Sequence, residues 1–269
     1  MIYDDVPDTL SQLIRTAFIP RQGMKFIVAD FSAIEARVIA WLADEQWVLD
    51  AFANNKDLYC ETASRMFGVP VEKHGINGEL RQKGKQCTLS CSYGGAKGAL
   101  IAMGAIDSGM KEDELQPLVI AWREANPNIV RFWHSLDQCA MKCIKEKTVT
   151  KTNRLTFSYE AGFLFIELPS GRRLAYAKPR IGENKFGGES ITYMGINAQK
   201  KWDRLETFGG KIAENVCQAV ARDLLMYSMQ TLSQYFIVGH IHDEMIIEAS
   251  KDMSLEEVCQ QMARTPKGA

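Results

Sequence analysis

Residues Lys25 to Leu42, KFIVADFSAIEARVIAWL, set the reading of the whole chain. The run Phe26–Ala29 is short, apolar and branched, as a buried strand is, and it stops at Asp30. Ser32 is placed to cap a helix, with Glu35 three residues on as its capping-box partner. Ile34, Val38, Ile39 and Leu42 give that helix one apolar face. A carboxylate is therefore expected at the end of a buried strand beside a helix start, a costly place for a charge without a cation. An Asp in an ordinary strand-to-helix turn is the alternative, and this stretch alone does not separate the two.

Outward from that stretch, 269 residues with 46% hydrophobic content can bury a large core in one domain or two. The net charge of −1 gives no global reason to expect nucleic acid or a membrane surface. Local charge is uneven. Lys142 to Arg154 holds five basic residues against Glu146, and Arg172 to Lys185 holds five against Glu183. Such runs are commonly solvated faces. The seven cysteines include no CxxC, and further zinc ligands are not nearby, so reduced thiols in a cytoplasmic protein are expected. The sequence contains no signal-peptide pattern and no apolar run long enough to span a membrane.

Helical spacing predicts a short helix over Thr9–Ile19, a helical region from Trp47 to Phe67, and a helix from Glu79 to a Gly94-Gly95 stop. In the last of these, Arg81, Lys85, Leu89 and Tyr93 recur every four residues, so they lie along one side with a drift of about 40° per step. Two more helices are expected over Glu112–Arg123 and Ile129–Lys147. The period then changes. VTKTNRLTFSYE, FLFIEL and RRLAYA, within Thr148–Arg180, read as hairpin strands, followed by a polar loop over Glu183–Gly188. A long helix follows from Gly210 to about Leu232. YFIVGHIHDEMIIEA then reads as strand, tight turn and strand around His242-Asp243-Glu244, and Ser254–Met262 as a final helix.

If the strand ending at Asp30 neighbours the strands flanking Asp243 in one antiparallel sheet, both acids reach one edge. Paired aspartates there can hold two divalent cations about 4 Å apart, as phosphoryl transfer uses. Magnesium suits oxygen ligands of this kind. Arg81 and Lys85 would supply positive charge to a polyphosphate.

Three motifs in order resemble the C-terminal polymerase region of family A DNA polymerases, the bacterial polymerase I type, above all its phage and prophage members. Asp30-Phe31-Ser32-Ala33-Ile34-Glu35-Ala36-Arg37 is similar to DYSxIExR. Arg81, Lys85, Tyr93 and Gly94 fit RxxxKxxxFGxxYG, and His242-Asp243-Glu244 fits HDE. The resemblance covers nearly the whole chain. It implies an α/β (α+β) fold: a right-hand polymerase palm with an antiparallel sheet from 1–49 and 205–269, and mostly helical fingers with a hairpin from 50–204.

The resemblance further implies template-directed transfer of a nucleotide from a deoxynucleoside triphosphate to a primer 3′-hydroxyl, with two magnesium ions. Asp30, Asp243 and the Phe31 carbonyl would hold the metals, with Glu244 beside them. Arg81 and Lys85 would bind the triphosphate, Lys85 also donating a proton to pyrophosphate. Glu35 would crowd the sugar 2′ position, Tyr93 and Gly94 would lie by the nascent base pair and template, His242 by the triphosphate or primer end, and Gln218 in the minor groove. Arg37 would support the site. Expected partners are primer-template DNA and deoxynucleoside triphosphates, with no membrane and a monomeric chain.

Leu89 and Ser90 depart from the aromatic and glycine usual in the family. Around Gln218, GGKIAENVCQ does not align with the family's upstream arginine and asparagine, for which Lys211 and Asn215 are nearby substitutes. The thumb and exonuclease-type domains are expected to be absent. Two other readings stay open: a truncated, impaired fragment that keeps the fold and binds DNA or nucleotide weakly, and a metal-dependent phosphodiesterase or nuclease built on the HIHDE stretch.

Overall fold

The computed structural model describes residues 10, 13–184 and 187–266. The chain divides into two compact units, Met1–Ser32 with Arg222–Ala269, and Ala33–Ala221.

The first unit is built on a three-stranded antiparallel sheet in the order β1-β9-β8, with β1 Met24–Asp30, β8 Phe236–Ile241 and β9 Glu244–Ser250. Alternation in β1 sends Ile27 and Ala29 into the core while Val28 and Asp30 stay exposed. Met245, Ile247 and Ala249 of β9 join that core with Leu225 and Leu232. Val258 and Met262 of the C-terminal helix Leu255–Met262 complete it, and Ser254 caps that helix by accepting from the Glu256 N–H at 3.1 Å. Buried Glu248 accepts from the Arg21 N–H at 2.6 Å and from its Nε at 2.7 Å, tying the approach to β1 onto β9.

The second unit opens with α1 Ile34–Ala43, α2 Gln46–Ala53, α3 Leu58–Phe67, α4 Leu80–Cys91 and α5 Lys97–Ala102. These are followed by α6 Leu115–Ala125 and α7 Pro127–Glu146. Six strands then form one meander in sequence order: β2 Thr150–Thr152, β3 Leu155–Glu160, β4 Phe163–Glu167, β5 Arg173–Glu183, β6 Glu189–Ile196 and β7 Trp202–Thr207. Helix α8, Gly209–Thr231, carries the boundary between the units within its length, and the C-terminal helix is α9.

Several local expectations need correction. The helix start is shifted by one residue from the expected cap at Ser32: the N-cap is Ala33, in a left-handed conformation at φ 52°. The helical region Trp47–Phe67 is two helices, because Asn54, Asn55 and Lys56 interrupt it and Asp57 caps the second through the Tyr59 and Cys60 N–H groups. Near the N-terminus the described residues give a 3-10 turn, Ile14–Ala17; the rest of the Thr9–Ile19 expectation includes Thr9, Ser11 and Gln12, which lie outside the described residues. The hairpin expected over 148–180 is part of a six-stranded sheet, which β6 and β7 extend through a stretch where the sequence pattern predicts no strand.

A buried carboxylate organises the middle of the second unit. Glu45 accepts from the Asn128 N–H at 2.8 Å and the Ile129 N–H at 3.2 Å, capping α7 from a distance in sequence. Burial pushes its carboxyl up, and those two bonds oppose the rise.

Candidate active site

The carboxylates of the first unit meet at one end of its sheet. In the β1–β9 ladder Asp30 pairs with Glu244, and in the β8–β9 ladder Ile241 pairs with the same Glu244. His242 and Asp243 are therefore the two turn residues of a tight hairpin. The Phe31 N–H donates to the Asp243 carbonyl at 3.3 Å, so the turn is bonded to the end of β1. His242 takes φ +53°, uncommon for a residue with a side chain and a mark of a constrained turn.

Strand alternation puts Asp30 and Glu244 on the face opposite the Ile27, Ala29 and Met245 core, directly across from each other. Asp30 is exposed, Asp243 and Glu244 are half-buried, and His242 is exposed. Like charges opposed across a ladder are destabilising, and a divalent cation offsets that cost. Behind the turn, Arg222 of α8 places its terminal nitrogens 3.1 and 3.2 Å from the ring nitrogens of His240.

Among the described residues, no group of three or more His, Cys, Asp and Glu side chains is arranged to hold a metal ion. The acid end of the sheet nonetheless fits magnesium, which takes one or two carboxylates and fills its other positions with water and substrate phosphate. The available donors, two or three carboxylates and the Phe31 carbonyl, are all oxygen.

In the second unit, α4 carries the basic residues. Gly84 lets it approach α3 closely: a Cβ there would lie 2.4 Å from the Tyr59 carbonyl oxygen. Arg81 is engaged with the cap of α3, its Nε 2.9 Å and a terminal nitrogen 2.8 Å from Asp57 Oδ2, with the guanidinium over the Tyr59 ring. Burial pushes the Asp57 carboxyl up, but the Arg81 guanidinium and the Cys60 N–H outweigh it and hold Asp57 below the usual carboxylate range. Lys85 lies half-buried one turn further on. Leu89 continues the row and is 47% exposed, while Ser90 is buried with its hydroxyl 3.1 Å from the Met103 sulfur.

Tyr93 and Glu35 come together: the Tyr93 hydroxyl donates to Glu35 Oε2 at 3.1 Å. Burial, with Cys217 and Glu35 beside it, pushes the Tyr93 hydroxyl above the ordinary phenol range. Gly94 follows at φ +81°. A Cβ on Gly95 would lie 1.9 Å from the Ser90 carbonyl oxygen, and one on Gly210 would lie 2.3 Å from the Tyr93 carbonyl oxygen. Gln218 is exposed on α8. Of the nearby substitutes, Lys211 pairs with Glu214 at 2.8 Å and Asn215 donates to the Tyr176 hydroxyl at 2.9 Å. Arg37 lies over the Phe52 ring, 4.0 Å from its centroid.

Sequence reasoning missed three supporting groups. Asp57 holds Arg81, Arg123 donates to the Gly95 carbonyl at 3.2 Å, and the Asp137 carboxylate accepts the first N–H of α8, from Gly209, at 3.0 Å. Only Asp57 left a local signal, as an acid before an apolar run.

The profile of DNA polymerase family A matches residues 5–267. The chain belongs to that family. It is 50% identical over 255 residues to the DNA polymerase of Bacillus phage SP02, covering 93% of this chain and 39% of that protein. It is 27% identical over 251 residues to the thermostable DNA polymerase I of Thermus aquaticus, covering 90% of this chain and 25% of that protein. The chain thus spans well under half the length of these relatives. Among solved structures, the POL domain of Pol1 from M. smegmatis, in complex with DNA primer-template and dNTP, superposes with a TM-score of 0.60 at 20% identity. That match covers 93% of this chain and 38% of that one and shows a shared fold. Among the described residues no helix is long and apolar enough to cross a membrane.

Proposed function

We propose that this chain carries the catalytic palm and fingers segments of a DNA-directed DNA polymerase. The first unit is read as palm and the second as mostly fingers. The observation that carries the proposal is the junction of two motifs more than two hundred residues apart: the ladder puts Asp30 opposite Glu244, and a backbone bond joins Phe31 to Asp243.

In this reading Asp30, Asp243 and the Phe31 carbonyl hold two magnesium ions, with Glu244 beside them. Bound magnesium supplies charge stabilisation for transfer of a nucleotide from a deoxynucleoside triphosphate to a primer 3′-hydroxyl. Arg81 and Lys85 bind the triphosphate, for which Arg81 exchanges its bond to Asp57 for phosphate oxygens. Lys85 donates a proton to the departing pyrophosphate. Glu35, fixed by the Tyr93 hydroxyl, crowds the sugar 2′ position. Tyr93 and Gly94 face the nascent base pair, His242 the triphosphate or primer end, and Gln218 the minor groove. DNA is gripped mainly through its phosphates, so binding weakens with salt.

Primer extension at low salt tests this. Labelled primer-template, four deoxynucleotides and magnesium are mixed with the wild-type chain or with Asp243→Ala. Nucleotide-dependent lengthening that falls by about 10³-fold or more in the variant is the expected result. Shortening of the primer would point to a nuclease. A folded chain that does neither would be an inactive segment.

A further inference from the structure

We infer that the open face of the six-stranded sheet is a second nucleic-acid site, a stacking platform for single-stranded DNA separate from the carboxylate end. One face of this sheet is core: Leu155, Phe157, Leu164, Ile166 and Tyr176 are buried there, and α7 packs against β2 to β5. Among the described residues, no helix packs in the same way on the other face. In register across it run Phe163, Ala177, Met194 and Arg204, with Phe165 opposite Ala175.

Three features of this face suit flat, anionic ligands. First, it carries a ready-made stack of planar groups. The Phe163 and Phe165 rings are stacked at 5.7 Å between centroids, and the Arg173 guanidinium lies 4.3 Å from the Phe165 centroid. Phe163, at the end of the stack, is 37% exposed. Second, the neighbours of the stack on β5 are alanines. Adjacent strands lie about 4.8 Å apart, so the Phe row and the Met194 row are separated by about 10 Å, with only methyl groups between. Beyond, at the end of the β6–β7 pair, Ile196 and Trp202 face each other at 67% and 61% exposure.

Third, the charge is complementary to phosphate. By register, Lys151, Arg173, Arg180 and Arg204 share this face with Glu160, Glu167 and Glu206, so it is slightly basic in a chain whose net charge is −1. Lys178 and Arg180 are exposed on the strand that bears the alanines. Glu160, an acid on this face, is bonded to Arg173 at 3.1 Å.

Aromatic side chains flanked by cations bind single strands without reading sequence, because every base has a π-face and every nucleotide a phosphate. A duplex hides its base faces, so it cannot use the stack. The apolar area is broken by charges and by the alanine row, which suits a string of planar rings better than a second protein's flat core. The site shares no residue with the proposed polymerase machinery.

The test is fluorescence anisotropy of a short labelled oligothymidylate, in EDTA and without nucleotides, so that its outcome does not depend on primer extension. The wild-type chain is expected to bind, with affinity falling as salt rises. Phe163→Ala combined with Phe165→Ala should weaken binding roughly tenfold or more, and the double Trp replacement should restore it. Near-ultraviolet circular dichroism confirms that the variants stay folded. Unchanged affinity in the folded Ala variant would overturn the proposal. So would a self-association, seen by sedimentation, that the Ala variant abolishes while oligonucleotide binding persists.

Discussion

The acid end of the first unit and the α4 region of the second are held in place in different ways. Asp30, Asp243 and Glu244 owe their positions to ladder register and to one backbone bond between Phe31 and Asp243. Around α4, position comes from close packing and side-chain bonds: Gly84 against Tyr59, Arg81 on Asp57, Trp133 Nε1 on the Ser92 carbonyl at 2.9 Å, and Tyr93 on Glu35. Carboxylates fixed through the backbone can be changed without loosening the fold. Residues that are themselves the packing cannot.

This contrast can be broken by substitution. The largest effect on stability is expected at Gly84→Ala, whose new methyl would sit 2.4 Å from a backbone oxygen. It should cost about 1–3 kcal/mol, read as a lower urea midpoint. Glu45→Ala should cost about 1–2 kcal/mol by leaving the Asn128 and Ile129 N–H groups without their acceptor, and Glu45→Gln less, since an amide oxygen still accepts. Tyr93→Phe removes one hydroxyl and should cost about 1 kcal/mol or less; on the proposed polymerase reading, ribonucleotide incorporation should also rise as Glu35 loses its anchor. An unchanged ribonucleotide to deoxynucleotide ratio would remove Tyr93 from sugar selection.

The smallest effect sharpens the picture of the first unit. The Arg21 N–H, and with it the Arg21 guanidinium, holds the Glu248 carboxyl below the usual carboxylate range against the opposing effect of burial. A carboxyl whose folded pKa is lowered stabilises the fold above its unfolded value, about 4.3, and loses that contribution as pH falls through the folded value. Glu248→Gln should therefore flatten the acid limb of the stability curve below that pH and leave its neutral part nearly parallel to wild type.

The same contrast explains what could be read from the sequence. β1, the His242–Asp243 turn and β9 announce themselves because alternation, an apolar core face and a tight turn are local signals. The three motifs add order and spacing, which is why the family was legible. The bond from Arg81 to Asp57 spans 24 residues and depends on how α3 meets α4, which no local pattern encodes. Strands β6 and β7 were missed because Thr192, Tyr193, Met194, Arg204 and Leu205 are only half-buried and give no clean two-residue period. The helix start lies one residue later than the sequence suggests because Ala33 adopts a left-handed turn, and the Glu35 carboxylate accepts from Tyr93, a partner 58 residues away.

The most direct test of whether ladder register and the Phe31–Asp243 bond together build a cation site from Asp30 and Asp243 is manganese binding followed by electron paramagnetic resonance. It would be run on wild type, Asp30→Asn and Asp243→Asn, with unfolding midpoints recorded in metal-free buffer. Wild type should bind the ion, either variant should lose most of that binding, and Asp30→Asn should unfold at or above the wild-type temperature, because Asp30 no longer opposes the charge of Glu244 across the ladder. Variants that bind manganese as wild type does, or that lose it only by unfolding, would contradict a cation site built in this way.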